Sequence, residues 1–323
     1  MFISSLRNEG KMKIEKNCCI EKKEEKYFYL FIMPWLVGFL IFTAYPMAAS
    51  FFYSFTDWDF FTDAHFIGLD NYKNLVKDDT FWKAIKNTFL YAAVFVPLNM
   101  GLSLFIACML KKKMFGSSIF RTLFYVPTLI PAVVTSLLFF KIFAPNDGIV
   151  NRFLALFGIK GPEWFFSASW SKPSLIIMSL WGLGTGFILL LSGMQGIPEE
   201  LYESVHLDGA SKWKEFWYIT FPMLSPVIFY NLIMGIIGSL QIFTQVYVVG
   251  TNALMPGGVS GSGGGPENSL LSIVQLLYIR AFRDYHMGYA SAIAWALFII
   301  ILILTMLVFK SSALWTYYEG EIK

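Results

Sequence analysis

The chain has 323 residues, 56% hydrophobic, 18% aromatic and only 15% charged, with a formal net charge of +3. Soluble domains carry roughly 25% charged residues; here the charges are confined to gaps between six uncharged stretches, 27–56, 87–110, 122–140, 173–198, 216–266 and 285–309. Each is close to or above the about 20 apolar residues a helix needs to cross a bilayer core, which excludes a soluble enzyme, a secreted disulfide scaffold and a disordered chain.

Residues 1–26 form a tail with seven basic residues. The apolar run behind it is far longer than a signal-peptide core, so it is read as an uncleaved first span. The expected helices are 28–52, 87–110, 119–141, 173–195, 223–249 and 287–309. They make residues 27–315 one all-α, polytopic, six-span membrane domain, followed by a tail at 316–323. With the amino terminus inside, the inner segments hold 15 Lys and Arg against 10 outside. Both termini are therefore expected to be cytoplasmic in a multi-pass membrane protein. The run Lys111, Lys112, Lys113 beside a span weighs most in that choice.

The outer connections differ in character. Residues 57–86 are acidic and aromatic and carry FIGLDNYKNL. Residues 141–172 contain APNDGIVNRFL and two Trp, which predicts a short helix at the interface. Residues 250–284 include GGVSGSGGGP, which lacks the Lys-Ser/Thr ending of a phosphate loop and reads as a flexible linker.

Several chemistries find no residues to carry them. Cys18, Cys19 and Cys108 have no metal-ligand spacing, and His65, His206 and His286 are scattered. A charge of +3, widely dispersed, does not suggest nucleic acid. No ionisable residue lies well inside the expected spans, which argues against proton coupling and intramembrane catalysis. No HExxH and no Walker motif occur, so any ATP chemistry must belong to a partner. The spans do hold uncharged polar groups, densest over Ser239–Gln245, where two glutamines need a wet or paired environment. Isolated Ser and Thr are read as hydrogen bonds between helices.

Between the fourth and fifth spans runs GIPEELYESVHLDGASKWKEFWYITFPMLSP. Pro198 with Glu199 and Glu200 suits a first helical turn, and Leu201 and Val205 share a face. Gly209 suits a helix end. Ser211 is placed to cap a second short helix that ends at Pro222.

This segment resembles the EAA loop of binding-protein-dependent ABC import permeases: E-A-A, three residues, Gly, nine residues, Ile, one residue, Leu-Pro. Glu203, Gly209, Ile219 and Pro222 hold that spacing, while Ser204, Val205 and Phe221 depart from it. FIGLDNYKNL, NTFLYAAVFVPLNMGLSLFIA, FRTLFYVPTLIPAVVTSLLF, ELYESVHLDGA and MGYASAIAWALF are similar to the carbohydrate branch, maltose-type and multiple-sugar permeases.

The resemblance implies a type I ABC importer permease fold and a non-catalytic transport subunit, half of a sugar channel. It implies a second homologous permease, a cytoplasmic ABC ATPase dimer carrying ATP and Mg, an extracytoplasmic sugar-binding protein and the lipid bilayer as partners. This chain itself would bind no cofactor or metal. The coupling loop is 196–222, with Glu199, Glu203, Asp208, Gly209, Ala210, Ile219 and Pro222 as its residues. The implied substrate pathway holds Trp181, Gly182, Thr185, Ser239, Gln241, Phe243 and Gln245. A sister branch takes glycerol-3-phosphate. An anion calls for a basic residue on the path, and only Arg280 and Arg283 lie near the sixth helix. A membrane scaffold or receptor fits the EAA spacing poorly.

Overall fold

The computed structural model describes residues 27–111, 116–252 and 263–317. The basic tail, Lys112, Lys113, most of the Gly-rich run and the last residues of the carboxyl tail lie outside them. Among the described residues the secondary structure is helical, with one isolated antiparallel bridge between Thr56 and Phe66. Four helices are long and apolar enough to cross a membrane, or up to six where each of two bent pairs makes one span.

The first, α1, is Tyr27–Tyr53, with a π turn at Leu40–Ala44. A short α2, Asp70–Lys77, follows from FIGLDNYKNL. Its buried Asn71 donates to the carbonyls of Ser54 and Thr56, at 2.9 and 2.8 Å, and so fastens the preceding loop.

Next comes α3, Asp79–Lys111, eight residues longer at its start than the uncharged stretch predicts. Asp79 sits in the first turn and Lys111 in the last, where a helix dipole favours these charges. At 1.5 Å per residue such a helix outruns a bilayer core, so its charged first turns stand clear of the apolar centre.

The stretch expected as a third straight span is broken into α4, Ser117–Leu129, and α5, Ala132–Ile142, at 99° to each other. Pro131 causes this. It donates no hydrogen bond, and the residue before a proline is pushed out of the helical region, as Ile130 is, with φ −79° and ψ 127°. A short helix is present within 141–172, α6, Ile149–Leu156. Asn151 pins it by donating to the carbonyls of Pro145 and Pro162 and accepting the Trp164 indole N–H at 2.7 Å.

The fourth expected span is also bent, by 45°, between α7, Ser171–Leu180, and α8, Gly184–Gln195. Gly184 has to be small: a Cβ there would lie 2.8 Å from the Phe124 carbonyl oxygen of α4. Then come α9, Glu199–Leu207, and α10, Lys212–Glu215.

Here the sequence expectation fails in two respects. Ser211 makes no side-chain cap, and the chain does not stop at Pro222. A π turn at Phe216–Thr220 carries it into α11, Phe221–Leu240, with Pro222 in the first turn, where a missing N–H is tolerated. The fifth expected span then pauses at Gln241–Phe243 and resumes as α12, Thr244–Asn252. After α13, Ile273–Tyr278, and a π turn at Ile279–Arg283, the chain ends its described course in α14, Met287–Trp315.

α3 is the axis of the bundle, touching α7, α8, α11 and α13. Three apolar clusters fill the packing. One, around Ile106, Leu110, Leu190, Met194, Tyr202, Ile219 and Leu224, lies at the end that carries α9. The second gathers Tyr91, Phe139, Phe143, Trp164 and Val246, and the third Leu75, Phe81, Ile273 and Ile293. α14 finishes at the α9 end: Trp315 packs beside the first cluster, and the Tyr317 amide donates to Ser225 Oγ at 2.8 Å.

Candidate functional site

Two features concentrate polar groups. The first, termed the central cavity, is a half-open cavity of about 470 Å³ at the level where both bent pairs have their breaks. Its wall runs from Pro127 to Ala132 through the α4–α5 corner, then through Thr135, Met178, Ser179, Trp181, Gly182, Thr185 and Gln245. The hollow lies beside the breaks at Ile130–Pro131 and Trp181–Leu183, where each bent pair changes direction.

No residue of this wall carries a charge. Hydroxyls of Thr128, Thr135, Ser179 and Thr185, the Gln245 amide and the half-exposed Trp181 indole are what it offers a solute. Such a mixture of one aromatic surface with a few hydrogen-bonding groups orients small polar ligands.

Of the seven pathway residues expected from the sequence, the structure brings together Trp181, Gly182, Thr185 and Gln245. The other three are placed elsewhere. Ser239 is buried and donates to the Ile236 carbonyl of its own helix at 2.9 Å. Gln241 is exposed at the break after α11. Phe243 stacks with Tyr247 at 5.4 Å and meets Tyr278 at 5.2 Å. Thr128, Thr135 and Ser179 also line this cavity and are not among the seven. Pro127 and Pro131 inside one uncharged run were the available signal, since two prolines so close mark an opened helix.

The second feature is the segment 196–222. Pro198 precedes α9, and Glu199 and Glu200 occupy its first turn. At its far end Gly209 is left-handed, φ +72°. The Gly209 amide donates to the His206 carbonyl at 3.1 Å and the Ala210 amide to the Val205 carbonyl at 3.2 Å. That pair of bonds is a Schellman ending, which satisfies carbonyls the helix leaves open; Asp208 is the last residue before the turn.

Val205 packs half-buried against the first apolar cluster. Tyr202 is the buried residue of α9, and Leu201 stays exposed. Ile219 is buried in the π turn and Pro222 half-buried beyond it. Beside α9 lies a cleft of about 730 Å³, with Lys111, Ser117 and Arg121 on one wall and Glu199, Glu203, His206 and Glu215 on the other. His206 and Glu215 approach to 3.6 Å, whereas neither Glu199 nor Glu203 makes an ion pair among the described residues. The Lys111 ammonium instead stands 3.4 Å from the centre of the Tyr202 ring.

The family model described as binding-protein-dependent transport system inner membrane component matches residues 99–313. The chain belongs to this family. It is thus a permease, a multi-pass, non-catalytic membrane subunit of a transport system. The permease is 37% identical over 302 residues to the probable ABC transporter permease protein YesP of Bacillus subtilis, covering 93% of this chain and 94% of that one. It is 35% identical over 298 residues to the multiple sugar-binding transport system permease protein MsmF of Streptococcus mutans, covering 91% and 98%. A crystal structure of a bacterial alginate ABC transporter, in complex with an alginate pentasaccharide-bound periplasmic protein, contains a chain of the same fold. The TM-score is 0.78 at 21% identity, over 90% of this permease and 95% of that chain.

Proposed function

We propose that this permease forms half of the translocation channel of an ATP-driven importer of neutral sugars, paired with a second homologous permease. In this reading 196–222 is the coupling loop. A cytoplasmic ATPase dimer, holding ATP and Mg, grips α9 and drives the pair between inward- and outward-facing states. An extracytoplasmic sugar-binding protein delivers solute at the opposite end, and both termini of the chain are cytoplasmic.

The observation that carries the reading is the state of α9. Its Glu199, Glu200 and Glu203 are exposed and outside any internal ion pair among the described residues, on a short helix whose two ends are fixed to the bundle. Carboxylates so presented suit a basic partner. Relatives named for multiple sugars, lactose and arabinooligosaccharides support the substrate class.

The uncharged wall of the central cavity speaks for a neutral solute over glycerol-3-phosphate. Arg280, a basic candidate for a phosphate, is committed to Asp284 at 3.0 Å and Asp78 at 3.4 Å.

The test is Glu203→Lys and Gly209→Pro. Both should abolish sugar uptake while the protein still inserts; normal uptake in both variants would sink the coupling-loop assignment. Purification of an active complex containing two copies of this chain and no other permease would overturn the heterodimer.

A further inference from the structure

We propose that Tyr202 is the pivot of the coupling helix, a positioning residue through which motion of α9 reaches α3 and α11 together. This deepens the importer reading and rests on it.

Tyr202, 9% exposed, is the buried residue of α9. Val205 is half-buried, and the remaining side chains, from Glu199 to Leu207, point outward, Leu207 being 89% exposed. A nine-residue helix held so lightly would otherwise be loosely attached, because helix position comes mainly from packing of a buried face.

Three kinds of contact compensate at one ring. Lys111, the last residue of α3, places its ammonium 3.4 Å above the ring centre, an attraction that strengthens where water is excluded. The Tyr202 hydroxyl shares a hydrogen bond with Thr220 Oγ1 at 3.2 Å, inside the π turn that leads into the fifth expected span. Tyr202 belongs to one buried apolar cluster with Ile106, Leu110, Met194, Ile197 and Ile219, from α3, the end of α8 and the residues just after it, and the π turn.

The surroundings favour rotation about this point over sliding. α9 is joined to the bundle through Ile197 and Pro198 at one end and the left-handed Gly209 turn at the other. On the Lys111 side the cleft of about 730 Å³ separates α9 carboxylates from α3 and α4 and leaves room for a swing. A displacement of the ring is then applied to α3 by the cation and to α11 by the hydroxyl. α3 packs along α8, which carries Thr185 into the central cavity. The clasp therefore connects the two polar features of the molecule through contacts that are all within the described residues.

The experiment uses the intact complex with its ATPase and second permease, with Cys18, Cys19 and Cys108 replaced by Ser and two spin-label pairs read by double electron–electron resonance. One pair, on Leu207→Cys and Leu314→Cys, reports α9. The other, on Leu129→Cys and Ile177→Cys, reports the cavity. The probe is Mg·ATP with vanadate. In the otherwise native complex both distance distributions should shift.

In Tyr202→Ala the α9 pair should still shift while the cavity pair no longer does. A merely structural role would shift both or neither, and either result overturns the pivot. If Tyr202→Ala fails to assemble, Lys111→Met and Thr220→Val each remove one contact and keep the ring. Each should lower the shifted fraction of the cavity pair about fivefold, the worth of one such contact; wild-type fractions in both overturn the proposal. An α9 pair unmoved by Mg·ATP in the parent complex removes the ATP-driven reading itself, a failure distinct from that of the clasp.

Discussion

Arg280 and Asp78, 202 residues apart in the chain, meet at 3.4 Å, and the same carboxylate oxygen accepts the Tyr289 hydroxyl at 2.9 Å. Arg280 also reaches Asp284 at 3.0 Å. The cluster ties the α2–α3 junction to the π turn after α13 and to the first turn of α14. Its side chains are only 18–31% exposed, so solvent screens the charges less than on an open surface.

Burial pushes the Asp78 carboxyl upward. Hydrogen bonds from Tyr289 and Thr80 and the Arg280 charge outweigh it and hold the group below the usual carboxylate range. A carboxyl lowered in the folded state contributes stability that is present above its unfolded pKa and lost as pH falls through the folded value. Asp78→Asn should therefore cost about 1 kcal/mol at neutral pH and lower the detergent melting temperature by roughly 2–4 °C. The loss should shrink on acidification below the carboxylate range; an unchanged Tm at pH 7 contradicts it.

Gly288, in the first turn of α14, approaches the chain that leaves α1. Its amide donates to the Trp58 carbonyl at 3.0 Å, and a Cβ built on it would collide with the Thr56 carbonyl oxygen. Backbone cannot retreat as a flexible side chain can. Gly288→Ala should lower stability by about 2 kcal/mol, seen as reduced yield of monodisperse protein and a lower Tm.

Gly209 calls for a milder result. Its φ of +72° strains any L residue, yet open space surrounds the position where a Cβ would stand. Gly209→Ala should cost about 1 kcal/mol and leave partial uptake, whereas Gly209→Asn, which tolerates this conformation better, should lie nearer wild type. Equal and complete loss in both would mean that something other than backbone conformation is required there.

Thr185→Trp tests the central cavity. Thr185 is itself exposed on the cavity wall, so a larger side chain there can extend into the hollow rather than into packed neighbours. The indole would occupy the volume a polar solute needs, cutting uptake about tenfold or more at unchanged membrane level. Ser239→Ala, buried and bonded within its own helix, should leave uptake near wild type.

The residues themselves determined the class of this protein. Stretches without charge can only be satisfied in a bilayer as helices, and the Glu203-to-Pro222 spacing is local enough to read directly. The Gly209 ending was legible for the same reason, since a left-handed turn is chosen by the residue that occupies it. Only the tertiary structure decided how the helices break and which faces they turn to one another. The prolines at 127 and 131 were visible, but the 99° corner and the cavity beside it depend on what packs against α4 and α5. Hydropathy cannot separate Gln245, which lines that cavity, from Gln241, which does not, because both are polar residues in one apolar run. Nor could it show that Tyr202, rather than Leu201, is the side chain α9 buries. That choice follows from Lys111 and Thr220, residues distant in sequence that close around one ring.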